Sequence, residues 1–489
     1  MTSPLSVSTR YGQLSEALHD ARERESLEQQ LTDYLRGQRW FGGQARELET
    51  VSLERWVELE SGACVCAVSV TDSEGVRTEH QLPLLLAAAS GERRHVVDAL
   101  SSGAVREELL RLSLSGGTRE GHRARFVCES LGDGNGCGGE GRLVGVEQSN
   151  SSVVYGEECI LKVYRRLEQG ANPEVELGRY LTAEAGFSAT PRVLATARLE
   201  GPGGYGADAL MVQQYVPNSG DGWAWALEAA KRALADVDTP ARLRDWLDAE
   251  RQTVEGAASL GVITARMHAA LASAEAEGLK PQQVTEQDIR AWHEELRREA
   301  RDVVATVERA GLDDPELLSA VRTLEGGGPG GAQSNAAGGL RTRVHGDYHL
   351  GQVLKTDEGF VVLDFEGEPA RTLPERRALQ HPLVDVAGMV RSWSYAAHTA
   401  AQDRGSPELA TAWEAKVRDS FLQAYWEAAS SSHPRFLPAD EQTRGNLLAL
   451  FELRKALYEV RYELNNRPAW VGIPAAAVRR LAAHSQFAS

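Results

Sequence analysis

The stretch 345–369, HGDYHLGQVLKTDEGFVVLDFEGEP, constrains this chain more than any other part of its sequence. It carries two acidic residues in different local settings. Asp347 follows a His-Gly pair, which is typical of a loop, and Gln352 comes soon after it. Asp364 ends a short run of apolar β-formers at 360–363, which predicts a buried strand. The segment therefore combines a loop carboxylate, a side-chain amide and a carboxylate at a strand end.

These three side chains are the set that phosphoryl transfer requires. One acid orients the attacking hydroxyl and accepts its proton, which is the role predicted for Asp347. An amide and a second acid hold magnesium against the nucleotide phosphates, and these roles are predicted for Gln352 and Asp364. The segment therefore indicates a phosphotransferase that uses ATP and Mg²⁺.

Length and charge restrict the class further. A chain of 489 residues predicts two or three subdomains. Its net charge of −17 argues against a general nucleic-acid surface or an anionic-membrane surface. No signal-peptide pattern is present, and no apolar run approaches the roughly 20 residues that span a bilayer. The five cysteines lack metal-site spacing and are expected to be reduced. We therefore expect a cytoplasmic protein with neither nucleic acid nor a membrane as partner.

The front of the chain predicts a small α+β subdomain. Apolar residues at helical spacing predict a helix over 14–35. Three short segments then read as antiparallel strands, near 51–59, 63–71 and 76–85. Between the helix and the first strand, Trp40 and Phe41 are expected to fill the core of this subdomain. The Gly-rich region 115–141 is predicted to form exposed loops.

A second group of strands follows, and one of them carries a lysine. The strands are predicted at 143–147, 153–155 and 159–164. Lys162 lies between two apolar residues of the third strand, as does a kinase lysine that contacts the α- and β-phosphates and pairs with a Glu of the next helix. That helix begins near Asn172, a candidate N-cap. Glu174 and Glu176 lie in its first turn, where both could instead only favour the helix dipole.

The turn 148–152, Gln-Ser-Asn-Ser-Ser, joins two of these strands. The backbone N–H groups and side chains of Ser149, Asn150 and Ser151 could cradle phosphate as a glycine loop does. The alternative is an ordinary hairpin connection. A further strand pair is predicted at 192–199 and 209–216.

The remainder of the chain is predicted to be mainly helical. Helices are expected near 223–236, 241–275, 285–311, 314–325 and 440–466. A Gly-rich tract at 326–339 is predicted to be a flexible insertion. The last helix places four residues on one face: Lys455, Tyr458, Glu459 and Tyr462. This face suits a sugar, although a solvated face with salt bridges would have the same pattern.

Several segments together resemble the maltokinase family, within the aminoglycoside-phosphotransferase and choline-kinase branch of the protein-kinase-like enzymes. They are QRWFGG, EQSNSS, NPEVELGR, HGDYHLGQ, DFEGEP and the C-terminal helix. In that branch an Asn stands at the position of Gln352. The glutamine keeps the amide but lengthens its arm by one carbon.

The resemblance implies an α+β chain with a bilobal protein-kinase-like fold. An additional N-terminal α+β cap subdomain would span 1–110. A kinase-like N-lobe with its hinge would span 111–217. A largely α-helical C-terminal lobe, with the catalytic and acceptor-binding residues, would span 218–489.

The resemblance also assigns roles to single residues. It selects Glu176 rather than Glu174 as the partner of Lys162. It also matches Asp385 to an acid that binds the catalytic-loop backbone, with a plain helix cap as the alternative for this first-turn residue. The adenine edge would be read by backbone groups of Gln214, Tyr215 and Val216. The acceptor sugar would contact Asp347, His349, Lys455, Tyr458, Glu459 and Tyr462.

The activity implied by the resemblance is transfer of the γ-phosphoryl group of ATP to maltose. The products would be ADP and maltose 1-phosphate, which feeds α-glucan (glycogen) synthesis. The family also suggests trehalose synthase, as a separate chain, as a partner. A first alternative is a kinase of another sugar such as glucosamine, because the core motifs act on phosphate and metal. A second is a non-catalytic pseudokinase scaffold, which would be expected to lack Lys162, Asp347 or Asp364.

Overall fold

The computed structural model describes residues 5–8, 10–41, 47–90, 93–132, 134, 136–144, 150–326, 338–402 and 406–484. The chain forms two compact units. The first comprises Met1–Thr182 and Pro191–Pro217, and the second comprises Ala183–Thr190 and Asn218–Ser489. Ser149 and most of the Gly-rich tract 326–339 lie outside the described residues, so the predictions made for them stay predictions.

The first unit is built on antiparallel strands. In chain order they are β1 (Ser6–Ser8), β2 (Leu48–Glu58), β3 (Cys64–Asp72), β4 (Arg77–Ser90), β5 (Arg93–Asp98), β6 (Gly117–Glu120), β7 (Arg125–Ser130), β8 (Arg142–Leu143), β9 (Asn150–Tyr155), β10 (Cys159–Tyr164), β11 (Arg166–Leu167), β12 (Val193–Gly201) and β13 (Tyr205–Gln214). One sheet, here called the cap sheet, has the order β1-β5-β4-β3-β2, with β11 paired to β4. The other, here called the lysine sheet, has the order β6-β7-β12-β13-β10-β9-β8.

Four α-helices accompany these sheets in the described part of the first unit. They are α1 (Leu14–His19), α2 (Ala21–Arg36), α3 (Gly103–Ser115) and α4 (Pro173–Arg179). The single helix predicted over 14–35 is two helices, because the Asp20 side chain accepts hydrogen bonds from the N–H groups of Arg22 and Glu23 and starts a new one. The prediction of loops over 115–141 is wrong in part, since β6 and β7 pair there.

Two large apolar cores stabilise the described part of the first unit. One joins side chains of both sheets and α3, and includes the fully buried Val65 and Val163. The other packs α1 and α2 on the cap sheet and includes Phe41, which is 3% exposed. Trp40 packs against this core edge-on to Phe41. The expectation that this aromatic pair fills the subdomain core is confirmed.

The second unit is mainly helical. Its helices are α5 (Gly222–Asp236), α6 (Pro240–Glu250), α7 (Gln252–Ala272), α8 (Glu286–Ala310), α9 (Pro315–Glu325), α10 (Leu373–Arg376), α11 (Leu383–Ala401), α12 (Pro407–Ser430), α13 (Glu441–Asn466) and α14 (Gly472–His484). The helix predicted over 241–275 is divided at Arg251, whose φ of 59° breaks the helical path. In the described ranges, none of the helices combines the length and the apolar character that a membrane crossing needs.

Short strands of the second unit form two antiparallel pairs, of which β16–β17 is a hairpin. The strands are β14 (Gln282–Gln283), β15 (Leu340–Arg341), β16 (Val353–Thr356) and β17 (Gly359–Val362). In the β16–β17 pair, Val353 lies opposite Val362 and Thr356 lies opposite Gly359. This register brings the residue before β16 and the residues after β17 to the same end of the hairpin.

Candidate active site

The open end of the β16–β17 hairpin joins the amide and one of the carboxylates singled out in the sequence. The Leu363 N–H donates to the Gln352 carbonyl at 2.9 Å, which extends the ladder by one pair. The Gln352 side-chain amide then donates to Asp364 Oδ2 at 2.9 Å. Asp364 has a φ of 62°, a left-handed conformation that is uncommon outside glycine and that clusters at functional positions. The hairpin therefore holds both side chains in one place.

A third oxygen donor lies beside this pair. Carboxylate oxygens of Asp364 and Glu366 lie within 4.8 Å of each other. Carboxylate and amide oxygens are the ligands that Mg²⁺ prefers. The residues present therefore fit a magnesium ion. Glu366 was not among the predicted ligands, although its place as the last residue of Asp-Phe-Glu was a visible signal.

Asp347 lies on a loop that is hydrogen-bonded to the same hairpin. The Asp347 N–H points to His345 Nδ1 at 3.4 Å, and His345 Nε2 donates to the Leu363 carbonyl at 2.7 Å. His349 Nε2 lies 3.9 Å from Asp347 Oδ2. Burial lowers the pKa of His349 below its usual value of 6.5, so the ring is neutral at pH 7. A neutral His349 leaves Asp347 without a cationic partner from that side.

Asp385, in the first turn of α11, holds the backbone of this loop. Its carboxylate accepts the N–H groups of His345 at 2.8 Å and Gly346 at 2.9 Å. His268 Nε2 donates to it at 3.2 Å, and Tyr425 Oη donates to His268 Nδ1 at 2.9 Å. Burial raises the pKa of Asp385, but the bonds from His268 and Gly346 outweigh it and lower the pKa. The loop-binding role for Asp385 is confirmed, and His268 has a structural role as the residue that holds its carboxylate.

The same face of α11 makes two further contacts with the loop. A Cβ on Gly388 would lie 2.6 Å from the Tyr348 carbonyl, so only glycine allows the helix to come this close. The Ser392 hydroxyl accepts the Leu350 N–H at 3.0 Å. Asp385, Gly388 and Ser392 lie on one helical face. Nothing in the sequence pattern distinguished Gly388 or Ser392.

A pocket of the second unit opens beside Asp347. Its lining includes Asp347, Glu368, Arg371, Arg454, Lys455 and Tyr458. Burial raises the pKa of Glu368, but Lys455, Arg371 and a hydrogen bond from Tyr458 outweigh it and lower the pKa, so Glu368 is ionised at pH 7. Glu368 lies in the Gly-Glu-Pro that ends the stretch 345–369, but it was not predicted as a site residue. No pattern in the sequence indicated Arg371.

The predicted sugar-binding face of α13 is divided by the structure. Lys455 and Tyr458 line the pocket. Tyr462 is 44% exposed and stacks on Tyr458 with ring centroids 6.3 Å apart. Glu459 instead lies inside the unit, where Arg391 Nε donates to it at 2.9 Å. The expectation that Glu459 contacts the acceptor is therefore corrected, because its carboxylate is buried in an ion pair.

In the first unit, Lys162 is paired with Glu174. Lys162 Nζ lies 2.6 Å from Glu174 Oε1, and Tyr164 Oη donates to Glu174 Oε2 at 2.9 Å. The Asn172 side chain caps α4 by accepting the Glu174 N–H at 2.8 Å. The choice of Glu176 is corrected. Two residues along a helix correspond to a rotation of about 200°, so Glu176 projects from another side of α4.

Ser151 contributes to the first unit in a way that the sequence did not predict. It pairs with Val163, the residue after Lys162, so its side chain lies on the sheet face opposite the lysine. Its hydroxyl accepts a hydrogen bond from Arg165 Nε at 2.9 Å. The expectation that the Ser151 hydroxyl contacts phosphate is therefore corrected. Asn150 opens β9, and its contact with phosphate stays a prediction.

The predicted adenine-reading segment follows β13. The Gln214 N–H donates to the Arg192 carbonyl and the Tyr215 N–H to the Glu158 carbonyl, both at 2.9 Å. These two N–H groups already have partners within the first unit. The expectation that they donate to adenine is therefore corrected. The carbonyl groups of the segment and Val216 stay predictions.

Comparison with known proteins agrees with this chemistry. The phosphotransferase enzyme family matches residues 140–439. A glucosamine kinase of Streptacidiphilus jiangxiensis is 30% identical over 86% of this chain and 89% of that protein. One of Mycolicibacterium smegmatis is 28% identical over 70% of this chain and 79% of that protein.

Solved structures agree as well. A glucosamine kinase in complex with glucosamine, ADP and inorganic phosphate matches with a TM-score of 0.63 and 25% identity, over 92% of this chain and 98% of that chain. Another crystal form of a glucosamine kinase matches with a TM-score of 0.64 and 26% identity, over 90% of this chain and 95% of that chain. These relatives are named glucosamine kinase, so the narrower resemblance to maltokinases is not supported by them. The kinase-like fold and the matched residues show that the chain belongs to the phosphotransferase enzyme family, within the protein-kinase-like superfamily.

Proposed function

We propose that this protein transfers the γ-phosphoryl group of ATP to a hydroxyl of an amino sugar, with glucosamine as the acceptor. The observation that carries the proposal is the pocket in which Asp347 and the ionised Glu368 line the same cavity. The similarity to proteins named glucosamine kinase over most of their length supports this acceptor. The closest alternative by chemistry is a neutral sugar.

Asp347 would orient the acceptor hydroxyl and accept its proton. The transition state of phosphoryl transfer is loose, so positioning and charge neutralisation contribute more than strong base catalysis. The support for this role is that the loop around Asp347 is held from two directions: His345 of the loop bonds to the Leu363 carbonyl at the hairpin end, and Asp385 on α11 accepts the His345 N–H. A fixed loop keeps the carboxylate in one orientation.

Gln352, Asp364 and Glu366 would hold magnesium, which neutralises charge on the nucleotide phosphates when it is bound. Lys162 would contact the phosphates, with Glu174 fixing the direction of its ammonium group. The paired side chains are largely buried, at 14% and 4% exposure, so the lysine has little freedom to turn away.

Glu368 would favour an amino sugar over its neutral counterpart. The amine of glucosamine is a cation at neutral pH, and an ionised carboxylate in a partly desolvated pocket attracts it more strongly than a hydroxyl. Arg371 Nε already donates to Glu368 at 2.8 Å, which keeps the carboxylate charged and in place. One carboxylate oxygen therefore has a fixed partner while the group faces the pocket.

Maltose is the second candidate acceptor, and one observation favours it. The Tyr458 and Tyr462 rings are stacked, tilted by 24°, and run from the pocket lining to an exposed position. Aromatic faces pack against sugar rings, so this pair could support a second glucose unit.

A phosphorylation assay with glucosamine, glucose and maltose tests the proposal. With ATP and magnesium, glucosamine should have the highest kcat/KM. Glu368→Gln should reduce kcat/KM for glucosamine about tenfold and change that for glucose much less. A preference for maltose with an acid-labile product would instead indicate phosphorylation at the anomeric hydroxyl and would overturn the amino-sugar assignment.

A further inference from the structure

Arg165 stands at the junction of the two sheets of the first unit. The preceding residue, Tyr164, ends β10 in the lysine sheet. The following residue, Arg166, begins β11, which pairs with β4 of the cap sheet. The backbone therefore passes from one sheet to the other at this single residue.

The side chain of Arg165 connects the same two sheets. Its Nε donates to the Ser151 hydroxyl of β9 at 2.9 Å, and its Nη2 donates to Asp98 Oδ2 at the end of β5 at 2.7 Å. The guanidinium group lies over the Trp40 ring, 5.1 Å from its centre. Only 3% of the side chain is exposed, so these contacts are shielded from water.

The cap-side partners of Arg165 are themselves fixed. The other oxygen of Asp98 accepts the Leu100 N–H at 2.9 Å. Trp40 packs edge-on against the buried Phe41. The guanidinium group is therefore bound on one side to cap residues that have further contacts of their own, and on the other side to Ser151 of β9.

The contact at Ser151 lies one residue from the strand position opposite Lys162. Ser151 and Ser152 are consecutive residues of β9, and Ser152 pairs with Lys162 across the ladder. A shift of Ser151 therefore moves the strand that pairs with the strand carrying the lysine. Ser151 itself is on the face away from Lys162, so it can act on that chemistry only through the backbone.

We propose that Arg165 is a positioning residue, which ties the end of β9 to the cap and thereby sets the affinity for the nucleotide. This inference rests on the proposed function, since it assumes that Lys162 binds ATP. Arginine suits the task because its planar fork presents donors in different directions and stays charged when buried. A lysine at this position would keep a charge for Asp98 but would lose the directed bond to Ser151.

Direct binding of ATP in the presence of magnesium, measured by calorimetry on the full chain without sugar, tests the inference. Arg165→Met and Ser151→Ala should each weaken ATP binding about tenfold. Arg165→Lys should bind ATP more tightly than Arg165→Met but more weakly than the unchanged protein. Ser151→Ala removes only one hydroxyl, so it remains informative if Arg165→Met fails to fold.

Arg166→Met is the matched control, because its side chain is 55% exposed and should not alter ATP binding. The double variant of Arg165→Met with Ser151→Ala should have the same ATP affinity as whichever single variant binds ATP less tightly, since both substitutions remove the same link. Unchanged ATP affinity in Ser151→Ala, together with a lower melting temperature in Arg165→Met, would reduce Arg165 to a structural role and overturn the inference. Failure of the proposed function would appear differently, as ATP binding without phosphorylation of any sugar in the panel.

Discussion

The carboxylate of Asp385 accepts a hydrogen bond of 2.8 Å from the backbone N–H of His345, although the two residues belong to different elements of the second unit. Asp385 is 1% exposed, and its second oxygen accepts the next N–H of the loop. A buried carboxylate with three donors is both a structural anchor and a means of fixing the loop that carries Asp347. Its effects on stability and on turnover should therefore be separable.

Asp385→Asn should reduce both stability and turnover. The amide has one acceptor oxygen, so one of the loop N–H groups would face an NH₂ group and lose its partner. We expect the free energy of unfolding to fall by about 1–3 kcal/mol and kcat to fall with it. Urea unfolding and steady-state kinetics measure the two effects.

Tyr425→Phe is the control for that variant. It removes the hydroxyl at the far end of the Asp385–His268–Tyr425 chain, so it should reduce stability by about 1 kcal/mol and leave kcat nearly unchanged. Equal losses of kcat in both variants would show that Asp385 affects turnover only through stability.

Asp347→Asn should abolish most turnover while ATP binding is retained. The amide cannot accept the proton of the acceptor hydroxyl, and general-base contributions are typically about a thousandfold in rate. Asp357→Asn, in the exposed turn of the β16–β17 hairpin, supplies the matched control. Turnover within a few fold of the unchanged protein would refute the role assigned to Asp347.

Glu174→Gln and Glu176→Gln form a matched pair within one helical turn. Glu174 is the acid paired with Lys162, at 2.6 Å. The loss of its charge should therefore lower kcat/KM for ATP about tenfold, since a charge-assisted bond becomes a neutral one. Glu176→Gln should have a small effect. The opposite ranking would restore the original choice of partner.

The parts of the fold that were predictable carry strong local patterns. Strand β10 spans Cys159–Tyr164 as predicted, because apolar β-formers flank it on both sides of Lys162. Helices α8 and α9 likewise lie within a residue of their predicted ends, since caps and periodicity agree there. The short strands β6 and β7 were missed because their four and six residues lie among glycines and gain stability only from pairing.

The site was predictable at the level of chemistry but not of partners. Asp347, Gln352 and Asp364 follow from the residue types that phosphoryl transfer needs. The choice between Glu174 and Glu176 depended on the rotation of α4 about its axis, which two acids in one turn cannot reveal. Glu459 shared a helical face with Tyr458, but its partner Arg391 lies on another helix, and sequence spacing does not report such a contact.

The last prediction concerns Glu414, a buried acid of α12 to which no role in the reaction is assigned. His398 Nε2 lies 3.5 Å from its carboxylate, as does Arg480 Nη2. Burial raises its pKa, but the bond from His398 and the charge of Arg391 outweigh it and lower the pKa from 4.5 to about 2. Because the unfolded chain takes up this proton first, Glu414 stabilises the fold above about pH 4.5, and that contribution is lost as the pH falls through about 2.

Between pH 5 and pH 3 the free energy of unfolding should therefore decrease by about 2 kcal/mol more in the unchanged protein than in Glu414→Gln. Urea unfolding at both pH values measures this difference, with Glu427→Gln, an exposed acid of the same helix, as the control that should follow the unchanged protein. Parallel losses in all three proteins would show that the acid sensitivity of the fold arises elsewhere.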